Sequence, residues 1–311
     1  MRVFVAGATG VIGKPLCEQL VAAGHEVTAL TRTEDNAGRL RAAGVTPVIA
    51  DVYDRDSVIA AVTGARAEVV VHQLTAIPAH MPPRQAGRLL EPTNRLRTEG
   101  TEILLAAARA AGATRFVAQS ISFVLAPEGP SPAGEEPPWA NPPRAVAGMF
   151  EAVARLEAMV TGASDLTGVV LRFGSLYGPG TIFATGGEMI AGVARRRVPI
   201  VGRGDGAFSF CHVDDAAAAT VRALERGAGV YNIVDDEPAP VRDWLPYLSE
   251  VIGAPPPRRI PQWLAWLGAG SYAVYLMARQ RAVSNRKARD ELGFVPSIPS
   301  WRTGFRDRRD S

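Results

Sequence analysis

Three glycines spaced three apart stand near the start of the chain. Gly7-Ala8-Thr9-Gly10-Val11-Ile12-Gly13 follows the apolar run Val3–Ala6 and leads into a helical stretch beginning near Lys14. That order of strand, turn and helix is what a phosphate cradle requires. Gly7 lets the chain turn sharply off the strand, Gly10 lets backbone approach a pyrophosphate, and Gly13 lets the helix pack closely on the sheet. The helix N-terminus adds free N–H groups and the positive end of its dipole. Gly7, Thr9, Gly10, Val11, Ile12 and Gly13 are therefore the expected dinucleotide-binding residues.

The end of the next strand, Leu30-Thr31-Arg32-Thr33, bears on which dinucleotide. An acidic side chain there would hold the 2′-hydroxyl of NAD. Arg32 instead stacks on an adenine and pairs with a 2′-phosphate, which points to NADP. Glu34 and Asp35 follow closely and keep NAD open, and a solvated strand end is the plainer account of Arg32. Asp51, closing the third strand, is placed to accept from the adenine amino group or to cap its own loop. His72 and Gln73, after the fourth strand, are expected on the nicotinamide side.

Apolar β-rich runs alternate with helical stretches. The runs are Val3–Ala6, Val27–Leu30, Pro47–Ala50, Val69–Val71, Phe116–Ala118 and Val169–Arg172. The helical stretches are Lys14–Ala23, Asp35–Ala43, Ser57–Val62, Arg97–Ala111 and Ala147–Thr161. This alternation predicts βαβ units and an α/β fold with a doubly wound parallel Rossmann sheet over 1–174. A smaller, mainly substrate-binding region is expected over 175–311, with a strand at 230–234 returning to the sheet. Seven prolines between Leu125 and Arg144 predict a long irregular loop, of the kind that forms lids or binding loops. Between Pro261 and Arg279 no side chain is charged, and Gly268 and Gly270 interrupt the stretch. Two short helices folded over an apolar pocket fit it better than a membrane span.

Further motifs in order resemble the extended short-chain dehydrogenase/reductase family, the NAD-dependent epimerase/dehydratase group. They are Asp51-Val52, Glu99-Gly100-Thr101, Leu171-Arg172 through Tyr177-Gly178-Pro179-Gly180, His212-Val213-Asp214-Asp215, Tyr231-Asn232, and Asn285-Arg286-Lys287-Ala288 with Leu292-Gly293. The resemblance implies a nicotinamide cofactor and adds Val52, Leu74, Ser120 and Arg172 to the cofactor side. It also implies a Tyr-x-x-x-Lys pair, in which the lysine lowers the tyrosine's pKa for proton transfer at the substrate oxygen. Aligned on Glu157, those two places hold Met149 and Val153, and no tyrosine of the chain is followed four residues on by lysine. Arg97 stands near the place of the family's usual asparagine. Ser122, Tyr177 and His212 are the remaining candidate catalytic donors. Ser122 also reads as a strand-end hydroxyl, Tyr177 as the close of its turn, and His212 as a hydrogen-bonded turn beside Asp214 and Asp215.

The 311 residues carry a formal charge of only +3, without the concentrated basic stripe that nucleic acid requires. Part of the excess, Arg302, Arg306, Arg308 and Arg309, reads as a solvated tail. Two cysteines make no disulfide framework, and four scattered histidines suggest no metal. A strand starting after Arg2 leaves no room for a cleavable signal, so a cytoplasmic protein is expected, with a homodimer left open. The expected activity is an oxidoreductase acting by hydride transfer on a small, partly hydrophobic metabolite without the Tyr/Lys pair. A cofactor-binding redox regulator and a dehydratase or cyclase are the alternatives.

Overall fold

A computed structural model describes residues 1–136 and 138–307. Seven parallel strands form the central sheet: β1 (Arg2–Ala6), β2 (Glu26–Thr31), β3 (Thr46–Ile49), β4 (Val69–His72), β5 (Arg115–Ile121), β6 (Thr167–Phe173) and β7 (Gly229–Ile233). Their spatial order is β7-β6-β5-β4-β1-β2-β3, so the winding reverses between β1 and β4. A doubly wound sheet binds its ligand at that reversal, beyond the carboxyl ends of the strands.

Alternate residues of each strand feed two separate cores. Val3, Val5, Val69 and Val71 pack with Leu16 and Leu20 of helix α1 (Gly13–Ala22), and Phe294 joins them from near the C-terminus. Leu40 of α2 (Glu34–Ala42) also joins this first core, whereas Phe4, Val70, Phe116 and Ala118 face the other way, onto Val58 and Val62 of α3 (Arg55–Gly64) and Ile103 and Leu104 of α4 (Thr101–Ala110). Strands buried on both faces carry nearly continuous apolar sequence, which is why these runs were visible. Helix α5 (Ala147–Thr161) follows β5 on this second face, and α6 (Val213–Ala223) covers the first.

Before α4 the helical path begins earlier than the prolines suggest. Short turns run from Pro83 through Arg95 into a widened π-turn at Leu96–Gly100. Pro83 and Pro92 lie in first turns, where a missing N–H removes no helical bond.

The proline-rich loop is pinned in place. Ala126 N–H donates to Pro138 O, Ala133 N–H to Ala282 O, and Arg281 reaches the carbonyls of Ala126, Glu128 and Pro130. Glu135 Oε1 accepts from Asn232 N–H on β7 at 2.9 Å. The loop buttresses the β6–β7 edge, because its backbone groups are taken by fixed partners; a lid or a binding loop was the expectation. Pro137 lies outside the described residues.

The remaining region packs Phe183, Phe208, Phe210, Trp244, Trp301 and Phe305 into an aromatic core. Arg302 and Arg306 belong to the helix Trp301–Arg306 there, with Arg302 paired to Glu237, and so are not a tail. Arg308 and Arg309 lie outside the described residues. The uncharged stretch forms two helices within Gln262–Ala278, broken at Gly270 (φ 86°, ψ 177°). The second buries Tyr272 and Tyr275, while the first exposes Trp263 (64%) and Trp266 (57%). Among the described residues no helix is long and apolar enough to cross a membrane. Cys17 and Cys211 are buried and free, and burial pushes the Cys17 thiol up to about 12, which leaves it unreactive.

Candidate active site

The turn after β1 sits at the sheet reversal and is built around two close approaches. Gly7 has φ 101°, and a side-chain carbon there would lie 2.5 Å from the Gln73 carbonyl. At Gly13 a Cβ would lie 2.1 Å from Gly7 O, so helix α1 starts directly on the turn. Lys14 N–H donates to Gly10 O at 3.1 Å, and no side chain caps α1. The first-turn N–H groups beside Thr9, Val11 and Ile12 are thereby left to an external acceptor, which fits a dinucleotide pyrophosphate.

Beyond β2, Arg32 is exposed and makes no ion pair with any described residue. The acids that follow are already engaged: Arg41 holds Glu34 at 2.6 Å and Arg39 holds Asp35 at 3.0 Å. Asp51 accepts from Tyr53 N–H at 3.0 Å, which orders its own loop, and Val52 is buried beneath. The Arg95 guanidinium lies 3.7 Å over the Tyr53 ring.

At the end of β4 the structure gives His72 a different task from lining a nicotinamide site. Its Nδ1 accepts from Leu74 N–H and its Nε2 faces Leu96 O, both at 3.3 Å. It is buried, and desolvation lowers its pKa to about 4, so it is neutral at physiological pH. With both nitrogens occupied it clamps the π-turn to the strand end and is not free to act as a base. Gln73 donates to Thr220 at 3.3 Å while its Oε1 is sealed without a partner, and Leu74 is half-buried.

Two expected cofactor residues on β5 and β6 are consumed by α5. Ser120 Oγ donates to Glu157 Oε1 at 2.7 Å; Arg172 meets the same carboxylate through Nε at 2.8 Å and Nη2 at 2.7 Å. The third donor, Arg172 Nη1, reaches Glu135 O at 2.9 Å. This network lies inside the protein, which removes both side chains from the cofactor edge. Sequence reasoning used Glu157 only as an alignment mark. A glutamate on the apolar stripe Met149, Val153, Leu156, Val160 was the available signal that a buried cation must exist.

Met149 and Val153, which the sequence alignment on Glu157 sets against the family's tyrosine and lysine, are buried in an apolar cluster with Phe150, Tyr272 and Tyr275. Ile121 packs on it from the end of β5. Ser122, the next residue, is buried and its N–H donates to Phe173 O, but its hydroxyl has no partner among the described residues.

Tyr177 and His212 come together, yet away from this cluster. Their rings lie 5.1 Å apart, and Tyr177 packs edge-on against Phe210 and Phe305. Its hydroxyl is buried without a partner among the described residues, and burial raises its pKa far above a phenol's. His212 caps α6 by accepting from Asp214 N–H at 3.3 Å. Both side chains are structural, because the small lobe's core and the α6 cap use them. No group of three or more metal-ligating side chains occurs among the described residues.

Arg97, in the π-turn, was missed as a site residue. It is 5% exposed, and its Nη1 is sealed from water without a hydrogen-bond partner. Its mark in the sequence was an arginine amid a buried helical run, two residues from charged and polar neighbours that concealed it.

The family model for the NAD dependent epimerase/dehydratase family matches residues 3–234. A Streptomyces 3-diazoavenalumate denitrifying reductase is 47% identical over 98% of this chain and 99% of its own length. A Stigmatella aurantiaca ketoreductase of a farnesylated 3-oxo-dihydroquinoline oxide is 30% identical over 96% of this chain and 93% of its own. The Thermus thermophilus UDP-glucose 4-epimerase, solved in complex with NAD, superposes with a TM-score of 0.70 at 24% identity, covering 98% of this chain and 97% of that one.

Proposed function

Because the chain belongs to the NAD dependent epimerase/dehydratase family and is one of its nicotinamide-dependent oxidoreductases, we propose that it uses NADPH to replace an arenediazonium group by hydrogen on a small, partly apolar substrate. The observation that carries this is the apolar packing of Met149 and Val153 where a proton-transfer pair would stand. Reduction of a carbonyl needs a proton at the developing alkoxide. At a diazonium carbon the new C–H bond replaces a C–N bond whose electron pair leaves with dinitrogen, so no oxygen has to be protonated. The 47% identical reductase bears a name for that kind of chemistry.

Bound reduced nicotinamide supplies the hydride. The chain's own residues then have positioning tasks. The turn from Gly7 to Gly13, with Thr9, Val11 and Ile12, receives the pyrophosphate; Asp51 and Val52 border the adenine; Gln73 and Leu74 border the nicotinamide half. Arg32 receives the 2′-phosphate, a reading supported by the engagement of Glu34 and Asp35 with Arg41 and Arg39. The cluster of Met149, Val153 and Tyr272 excludes water from the reacting carbon.

Carbonyl reduction is the second reading, favoured by the unpartnered Ser122 hydroxyl. The test pairs an arenediazonium acceptor with a ketone, using NADPH deuterated at C4. One dinitrogen released and one deuterium fixed on the former C–N carbon per NADPH is the expected result. Turnover of the ketone alone, abolished by Ser122→Ala, would replace this reading with the second.

A further inference from the structure

A buried cation without an anion is a costly arrangement, and such groups normally find a partner inside the fold. Arg97 has none. No atom of its guanidinium donates to a described residue, and Nη1 is closed off from water. The titratable groups whose charge reaches it are Tyr272 and His72, and neither is an anion. Burial holds the Tyr272 phenol protonated and the His72 ring neutral.

The surroundings give the missing partner a character. Arg97 lies in the π-turn Leu96–Gly100, a geometry that recurs at functional sites because it turns side chains off the regular helical face. The turn is held at two carbonyls: His72 on β4 faces Leu96 O, and Thr101 Oγ1, four residues on in the same helical path, donates to Arg97 O at 2.7 Å. One turn earlier Asn94 holds a second sealed, unpartnered polar atom, Oδ1. The π-turn packs against α5, the helix whose Met149, Phe150 and Val153 join Tyr272 in the apolar cluster. A cationic fork therefore borders an aromatic and aliphatic lining.

We propose that Arg97 is the anchor for a carboxylate on the substrate, which makes the substrate an apolar acid. A planar carboxylate matches the guanidinium fork, and its charge is what the site lacks. The ribose hydroxyls of a dinucleotide carry no charge, and its phosphates belong at the α1 turn, across β4 from Arg97. This inference rests on the reading of the Met149–Val153 face as the substrate side, but not on the fate of the diazo group.

The test uses the full chain saturated with NADP, with cinnamate and methyl cinnamate as probes in calorimetric titration. The wild type is expected to bind cinnamate at least tenfold more tightly than its ester. Arg97→Met is expected to weaken cinnamate about a hundredfold, to leave the ester unchanged, and to leave NADP affinity unchanged. Arg97→Lys should keep part of the preference. Thermal melting without substrate supplies a separate readout: Arg97→Met raises Tm if the guanidinium has no internal partner and lowers it if the residue is merely structural. Equal binding of acid and ester by the wild type overturns the inference without any variant. So does loss of NADP affinity in Arg97→Met, or a lowered Tm. Cinnamate preference with no diazonium turnover would leave this anchor standing and remove the proposed reaction instead.

Discussion

Arg172 and Arg97 are both buried, at 3% and 5% exposure, on two sides of the same helix α5, and they behave as opposites. Arg172 has three nitrogens committed, two to Glu157 and one to the Glu135 carbonyl. Arg97 has none committed to any described residue. Burial alone therefore does not distinguish an architectural charge from a binding one. For these two charges the satisfaction of donors does: the closed network of Arg172 holds elements together, while the open guanidinium of Arg97 leaves a charge for a ligand to meet.

The comparison breaks most visibly at Arg172. Arg172→Met leaves the Glu157 carboxylate buried and unpaired, with an expected loss of about 3–5 kcal/mol in urea unfolding. Arg172→Met with Glu157→Leu should recover most of it, and failure to recover would mean the pair is not self-contained. His72, beside Arg97, gives the next effect through pH. Its folded pKa of about 4 lies below the unfolded value near 6.5, so its contribution is present at neutral pH and lost as pH falls through that window. Unfolding measured between pH 7 and pH 4 should lose on the order of 2–3 kcal/mol from this group, and His72→Gln should flatten the slope. Arg97→Met is expected to act with the opposite sign to Arg172→Met, stabilising the substrate-free protein by about 2 kcal/mol in the same urea assay. The smallest effect belongs to the exposed Arg32. Arg32→Ala should weaken NADPH about tenfold by fluorescence titration and leave NADH nearly unchanged, since an exposed charge–phosphate contact is worth about 1–2 kcal/mol. Equal losses would remove the 2′-phosphate from its assignment.

The sheet was legible because its information is local. Val3–Ala6, Val69–Val71 and Val169–Arg172 are apolar without alternation, as strands buried on both faces must be. The cradle was legible for the same reason: its turn, strand and helix are consecutive. The donors were not. Tyr177 and His212 sit in motifs that invite chemistry, yet Phe305 and Gly304, more than ninety residues on, close over the tyrosine, and α6 takes the histidine as its cap. Ser120 and Arg172 looked like cofactor ligands until Glu157 was placed between them. The proline loop suggested a lid or a binding loop, but Arg281 and Asn232, distant in sequence, supply bonds that hold it.

By itself the sequence determined the doubly wound sheet, the strand–turn–helix that carries Gly7, Gly10 and Gly13, and the apolar residue types at Met149 and Val153. Each of these is a matter of residue type at a fixed local spacing. Only the tertiary structure decided which polar side chains remain free, because that depends on partners brought from β6, α5 and the segment around Tyr272. It closed Arg172, Ser120 and His212 into the protein's own hydrogen bonds, packed the Tyr177 ring into the aromatic core, and left Arg97 without a partner among the described residues. A hydrogen-bond donor is spent or unspent only in three dimensions, and in this chain that difference separates the residues that build the site from one that faces its ligand.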